Sequence, residues 1–148
     1  MAGSNRLIIG LGNPGPEYEG SRHNVGFDVV DLVAEKSRAT FDETGTIQKA
    51  LSRMKSAGLY MTASTRYRGR PLTLAKPLTF MNRSGHAVSR LKGRFKVDFH
   101  DILVIVDDIN LDLGTIRFRS KGGSVCLNVI LSIIDDLDSD NFPRMRIG

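Results

Sequence analysis

Leu7-Ile8-Ile9-Gly10-Leu11-Gly12-Asn13-Pro14-Gly15, continuing through Ser21-Arg22-His23-Asn24 into an amphipathic stretch from Gly26 to Lys36, decides the fold. A compact apolar run, a glycine-rich loop and a helix follow one another. In open α/β sheets this order puts backbone N–H groups and polar side chains at the carboxyl end of a parallel strand, where ligands bind. Gly10, Gly12 and Gly15 also spell G-x-G-x-x-G, so the literal reading is a dinucleotide fingerprint. That reading needs a tight turn leading at once into a helix, so that a pyrophosphate meets the helix N-terminus. Pro14 and Pro16 instead stiffen the loop, because each fixes φ and biases the residue before it away from helix. The helical period begins only near Asn24, and Ser37 to Thr46 reads as loop where the ribose-binding acid would belong. The loop is better suited to presenting Asn13 and His23; the plain alternative is a turn that Asn13 merely caps.

Outward from this stretch, 148 residues suit one domain with a real core. No apolar run reaches the length of a membrane span, and Met1 to Arg6 lacks the apolar core of a signal peptide. A single cysteine, Cys126, cannot form an internal disulfide, which points to a reducing compartment. The net charge is +5 even though Asp135, Asp136, Asp138 and Asp140 form an acidic cluster. The remainder is therefore more basic than the total, which favours a polyanionic partner.

Tyr60 to Tyr67 alternates as a strand, Gly69 turns it, and Leu72 to Ala75 returns, a β-hairpin with Arg66, Arg68 and Arg70 at its tip. Lys76-Pro77 leads into Thr79-Phe80-Met81-Asn82-Arg83-Ser84-Gly85. A helix follows with Ala87, Val88, Leu91 and Phe95 on one face. Ile102 to Val106 is a continuous apolar strand of the parallel-sheet kind, ending in Asp107-Asp108. Thr115 to Arg119 is a short strand, Lys121-Gly122-Gly123-Ser124 a loop, Val129 to Leu137 a helix, and Pro143 to Gly148 a last strand. Strands alternating with helices predict a single α/β domain in which Leu7–Leu11 and Ile102–Val106 are parallel neighbours.

Asn13, His23, Asn24, Asn82, Asp107 and Asn128 are the polar residues left at strand ends and loop exits. One His, one Asp and several carboxamides, with no nucleophile elbow, suit attack by water. The Asp orients and charges the imidazole, which takes a proton from water; the carboxamides hold the carbonyl and the oxyanion that develops. His86 falls in a helix and His100 ahead of a strand. No paired His or Cys spacing suggests zinc, and no cofactor is expected.

With these motifs in place, the chain resembles the bacterial-type peptidyl-tRNA hydrolase family over nearly its whole length. The resemblance rests on Gly10 to Gly15, Glu17-Tyr18, Arg22-His23-Asn24-Val25-Gly26, Lys76-Pro77 with Thr79 to Gly85, and Asp107-Asp108 before Leu111-Asp112-Leu113-Gly114. It implies one domain, residues 1–148, built as a three-layer α/β sandwich whose twisted, mixed and largely parallel sheet is flanked by helices. It implies hydrolysis, without a metal, of the ester joining a peptide to the 3′ ribose of tRNA. His23 would be the general base, Asp107 its partner, and Asn13, Asn82 and Asn128 the groups that position the substrate. Tyr18, Asn24 and Met81 would line the cleft, and Arg117, Arg119 and Arg146 would meet phosphates near the tRNA acceptor end. A monomer in the cytoplasm is expected, away from membranes, with an organelle as the other possible setting. Two departures stand out. Val125-Cys126-Leu127-Asn128-Val129 replaces the family's Gly-Gly-His-Asn-Gly, and family members run on by several tens of residues, adding a strand and a helix over the cleft. The alternative they leave open is a family member with impaired catalysis that binds RNA or a partner.

Overall fold

Ile102–Asp107 is apolar at nearly every position because both of its faces are covered. Ile102, Val104 and Val106 belong to one core cluster, Leu103 and Ile105 to another. This strand, β4, lies parallel to β1 (Arg6–Gly10), with Leu7 opposite Ile102 and Ile9 opposite Val104. The two strands expected to be parallel neighbours are so. The computed structural model that shows this describes residues 5–41, 60–79, 83–121 and 128–148, without the side chain of Asn128.

The other elements take their places around this pair. β2 (Tyr60–Tyr67) and β3 (Arg70–Pro77) form the expected hairpin, and β3 runs parallel to β1 on the side away from β4. Arg68 and Gly69 both adopt positive φ, 51° and 77°, at its turn, as the twist of a two-residue hairpin loop demands. β6 (Arg144–Ile147) is parallel to β4, and β5 (Ile116–Arg119) is antiparallel to β6. The six-stranded sheet thus has the order β2-β3-β1-β4-β6-β5.

Helices close both faces. On one, α1 (Val25–Lys36) packs Val30 and Ala34 with Ala63, Leu74 and Ile105. On the other, α2 (Ser84–Phe95) and α3 (Asn128–Leu137) share a core with Leu7, Ile9 and Val104, to which they bring Val88, Leu91, Ile130 and Ile133. The expected helices and strands are present with ends displaced by a residue or two. Pro16–Tyr18, Arg22–Asn24 and Phe99–Asp101 form short 3-10 turns that periodicity does not reveal. The expected loops over residues 42–46 and 122–124, and the motif residues 80–82, lie outside the described residues. No helix among the described residues is long and apolar enough to cross a membrane.

Two glycines let α1 settle onto the sheet. A Cβ on Gly10 would overlap the carbonyl of Gly26, and one on Gly26 would stand 2.5 Å from the Leu11 backbone and 2.6 Å from the Ile105 carbonyl. Those obstacles are backbone atoms in strands or beside them, so they yield little. Gly26→Ala is therefore expected to cost about 1–3 kcal/mol through overpacking. It should appear as a lower urea midpoint with the slope unchanged; an unaltered midpoint would mean that the helix can lift off at no cost.

Candidate active site

Both halves of the site hang from adjacent parallel strands. Asp107 is the last residue of β4, and its side chain is 4% exposed. His23 lies in the 3-10 turn that joins the loop after β1 to α1. That turn is tied down at both ends: the Asn24 amide donates to the Ser21 carbonyl at 3.0 Å, and Arg22 Nη2 donates to the Leu111 carbonyl at 3.3 Å. The result is an Nδ1–Oδ2 separation of 2.8 Å between His23 and Asp107. A carboxylate only accepts, so the proton of this bond sits on Nδ1. In the neutral imidazole the lone pair is then on Nε2, and the side chain is 59% exposed. A neutral imidazole fixed in one tautomer on an exposed side chain can take a proton from water.

Asn13 follows Gly12 in the loop after β1, and its backbone is held by Asn24. The Asn13 amide donates to Asn24 Oδ1 at 2.8 Å, and Asn24 Nδ2 donates back to the Asn13 carbonyl at 3.1 Å. Beside them opens a cavity of about 550 Å³ walled by Asn13, Pro14, Gly15, Asn24, Phe27 and Lys76, among others. The Lys76 ammonium pairs with Asp31 at 2.7 Å and lies over the rings of Phe27 and Phe41. Tyr18 ends the 3-10 turn of the same loop and is half-buried. Met81 and Asn82 lie outside the described residues. Asn128 is the first residue of α3, and its side chain is likewise outside them.

Asp108, beside Asp107, has a part in the site that its position in the sequence does not reveal. Asp108 is 2% exposed; one carboxylate oxygen accepts the Asn110 amide at 2.9 Å and the other meets Arg146 Nη1 at 3.0 Å. It thereby fixes the start of the loop beyond β4. The doubled acid at the strand end was its only signal. Arg146 stands across from Arg117, and Arg144 across from Arg119, so four arginines share one face of the β5–β6 pair. Arg144 is buried, bonded to the carbonyls of Asp140 and Phe142 and stacked on the Phe142 ring. Burial, and then the charges of Arg119 and Arg146, hold its guanidinium below the usual arginine range, against the pull of Asp140. Arg117 and Arg119 are exposed on the edge strand. Ligand atoms of Asp98, His100 and Asp101 lie within 4.8 Å of one another. That group sits where β4 begins, at the end of the strand away from Asp107.

The class to which this fold and this pairing point is a hydrolase, since an imidazole held by a carboxylate can activate water. The chain belongs to the peptidyl-tRNA hydrolase family, whose sequence profile matches residues 7–148. It is 46% identical to the peptidyl-tRNA hydrolase of Chlorobaculum parvum and 43% identical to that of Chlorobium limicola, over 143 residues in each case. Each alignment covers 97% of this chain and 69% of the relative. The crystal structure of peptidyl-tRNA hydrolase from Acinetobacter baumannii superposes with a TM-score of 0.83 at 31% identity, covering 98% of this chain and 69% of that one.

Proposed function

We propose that this protein hydrolyses the ester between peptide and tRNA in peptidyl-tRNA and so returns free tRNA to translation. The observation that carries the reading is the 2.8 Å contact between Nδ1 of the largely exposed His23 and buried Asp107, which leaves Nε2 outside the bond. In the reaction, Nε2 takes a proton from a water whose oxygen attacks the ester carbonyl carbon. Asp107 stabilises the imidazolium that results. Electron density moves to the carbonyl oxygen, to which the Asn13 carboxamide donates a hydrogen bond. Collapse of the tetrahedral adduct breaks the bond to the ribose 3′ oxygen. That oxygen leaves with the imidazolium proton, and the imidazole is restored. Tyr18, Met81, Asn82 and Asn128 complete the substrate contacts in this reading; the protein works as a monomer in the cytoplasm. The direct test is release of tRNA from peptidyl-tRNA by the 148-residue chain. Release at multiple turnovers is expected; binding of the substrate without release would mean a binding protein.

The arginine face supports the polyanionic part of the substrate. Arg117 and Arg119 are exposed opposite Arg146 and Arg144, and Asp108 pairs with Arg146, so the face keeps an excess of positive charge that attracts phosphate. Arg117, Arg119 and Arg146 are assigned to phosphates near the acceptor end. If they serve there, log affinity for tRNA falls linearly with log salt. Replacing Arg117 and Arg119 by alanine then flattens the slope by roughly one for each phosphate released. A small ester mimic without tRNA is the control. Equal loss of activity on the mimic and on peptidyl-tRNA would make these arginines supports of the fold.

A further inference from the structure

Asn24 occupies the N-cap position of α1 and yet does not cap it: its side chain makes no hydrogen bond to the helix. Asparagine is among the best N-cap residues, and a cap is worth about 1 kcal/mol. The carboxamide is instead committed to the backbone of Asn13, accepting from its amide at 2.8 Å and donating to its carbonyl at 3.1 Å. The residue is 4% exposed. Space for this arrangement is reserved by a glycine, since a Cβ on Gly12 would lie 2.8 Å from Asn24 Oδ1. Two features therefore agree: a carboxamide that forgoes the cap for a two-point hold on one residue, and a missing side chain where the hold passes.

We infer that Asn24 is a positioning residue that locks the Asn13 loop to the His23 turn, rather than a group that contacts substrate. Asn24 directly follows His23, so the bonds to Asn13 fix the backbone of one proposed catalytic residue against that of the other. Proximity of this kind matters steeply, because a misplacement of about 1 Å can cost on the order of 10²-fold in rate. The inference rests on the reading of Asn13 as a group that stabilises the reacting carbonyl.

The test is a double-mutant cycle on peptidyl-tRNA hydrolysis, with tRNA affinity and thermal midpoint measured on every variant. Asn24→Ala is expected to lower kcat by about 10- to 10²-fold with KM and tRNA affinity little changed. Asn13→Ala lowers kcat as well, and adding Asn24→Ala to it costs nothing further, because the residue being positioned has lost its working group. Gly12→Ala provides a second route: its Cβ would press on the Asn24 carboxamide and on the Phe27 ring, displacing the carboxamide while leaving Asn24 in the chain. It should reproduce the Asn24→Ala loss alone and be silent beside Asn13→Ala, which keeps the test decisive if Asn24→Ala folds poorly. Losses that multiply in the double variant, or a raised KM in Asn24→Ala, would overturn the inference and place Asn24 on the substrate. No loss in Asn13→Ala alone would instead remove the reading of Asn13, and the positioning role with it.

Discussion

Replacing His23 by alanine is expected to lower kcat/KM on peptidyl-tRNA by on the order of 10²–10⁴-fold, the contribution of a positioned general base. The loss should fall on kcat, because the imidazole works on water and the departing oxygen and does not grip the tRNA. Little else can confound the measurement. The His23 side chain is 59% exposed and belongs to no core cluster, so its removal opens no cavity. What it does remove is the partner of Asp107, whose side chain is 4% exposed. A buried group left unpaired costs about 1–3 kcal/mol, so the thermal midpoint should drop while the secondary structure, read by circular dichroism, stays the same. The salt slope of tRNA binding should be that of the parent chain. Wild-type turnover in this variant would exclude His23 as the base.

Much of this site was legible because the strands that carry it announce themselves, with Asp107 at the end of one and His23 in the turn that follows the loop after the other. Leu7-Ile8-Ile9 and Ile102 to Val106 read as buried parallel strands from their unbroken apolar character. Ligand sites in open α/β sheets gather at the carboxyl ends of such strands, so His23 and Asp107, 84 positions apart in the chain, could be placed together from sequence alone. The hairpin over Tyr60 to Pro77 was legible for a local reason too, since its alternation and its glycine turn lie within one short stretch.

What escaped the sequence was decided by pairing at a distance. Nothing local says that β6 slips between β4 and β5, yet that placement brings Arg146 to Asp108 and sets the arginines opposite one another. The glycines were legible as a motif and misleading as chemistry. Gly10 is required by the approach of Gly26, and Gly12 by the reach of Asn24 and the ring of Phe27. The three glycines spell a fingerprint for pyrophosphate, while two of them answer to a helix and a carboxamide pressed against the loop. Asn24 reads from the sequence as a polar residue where the helical period begins and, by the resemblance, as part of the cleft lining; the structure puts it at the N-cap position of α1. Only the hydrogen bonds to Asn13 show that the cap has been given up.

Asp107→Asn isolates what the carboxylate adds beyond holding the ring. The substitution preserves shape in a buried position, and a neutral carboxamide is easier to bury than a charge, so the fold should be at least as stable. The carboxamide oxygen can still accept the Nδ1 proton, in which case orientation survives and only the negative charge is lost. A hydrogen bond to a charged group is worth about 1.5–3 kcal/mol against about 1 for a neutral one. With roughly 1.4 kcal/mol for each factor of ten, the variant should lose about 3- to 30-fold in kcat. Should the amide turn its N–H groups to the ring, Nδ1 would accept, the proton would move to Nε2, and the base would be blocked, which deepens the loss. Asp107→Ala gives up charge and orientation together and should fall further, to on the order of 10²–10³-fold below the parent, within the range for the base itself. The ranking is the result to measure: parent, then Asp107→Asn, then Asp107→Ala, with tRNA affinity equal in all three. If Asp107→Asn kept the parent kcat, the carboxylate would be a tether for the ring, and stabilisation of the imidazolium would have to come from elsewhere.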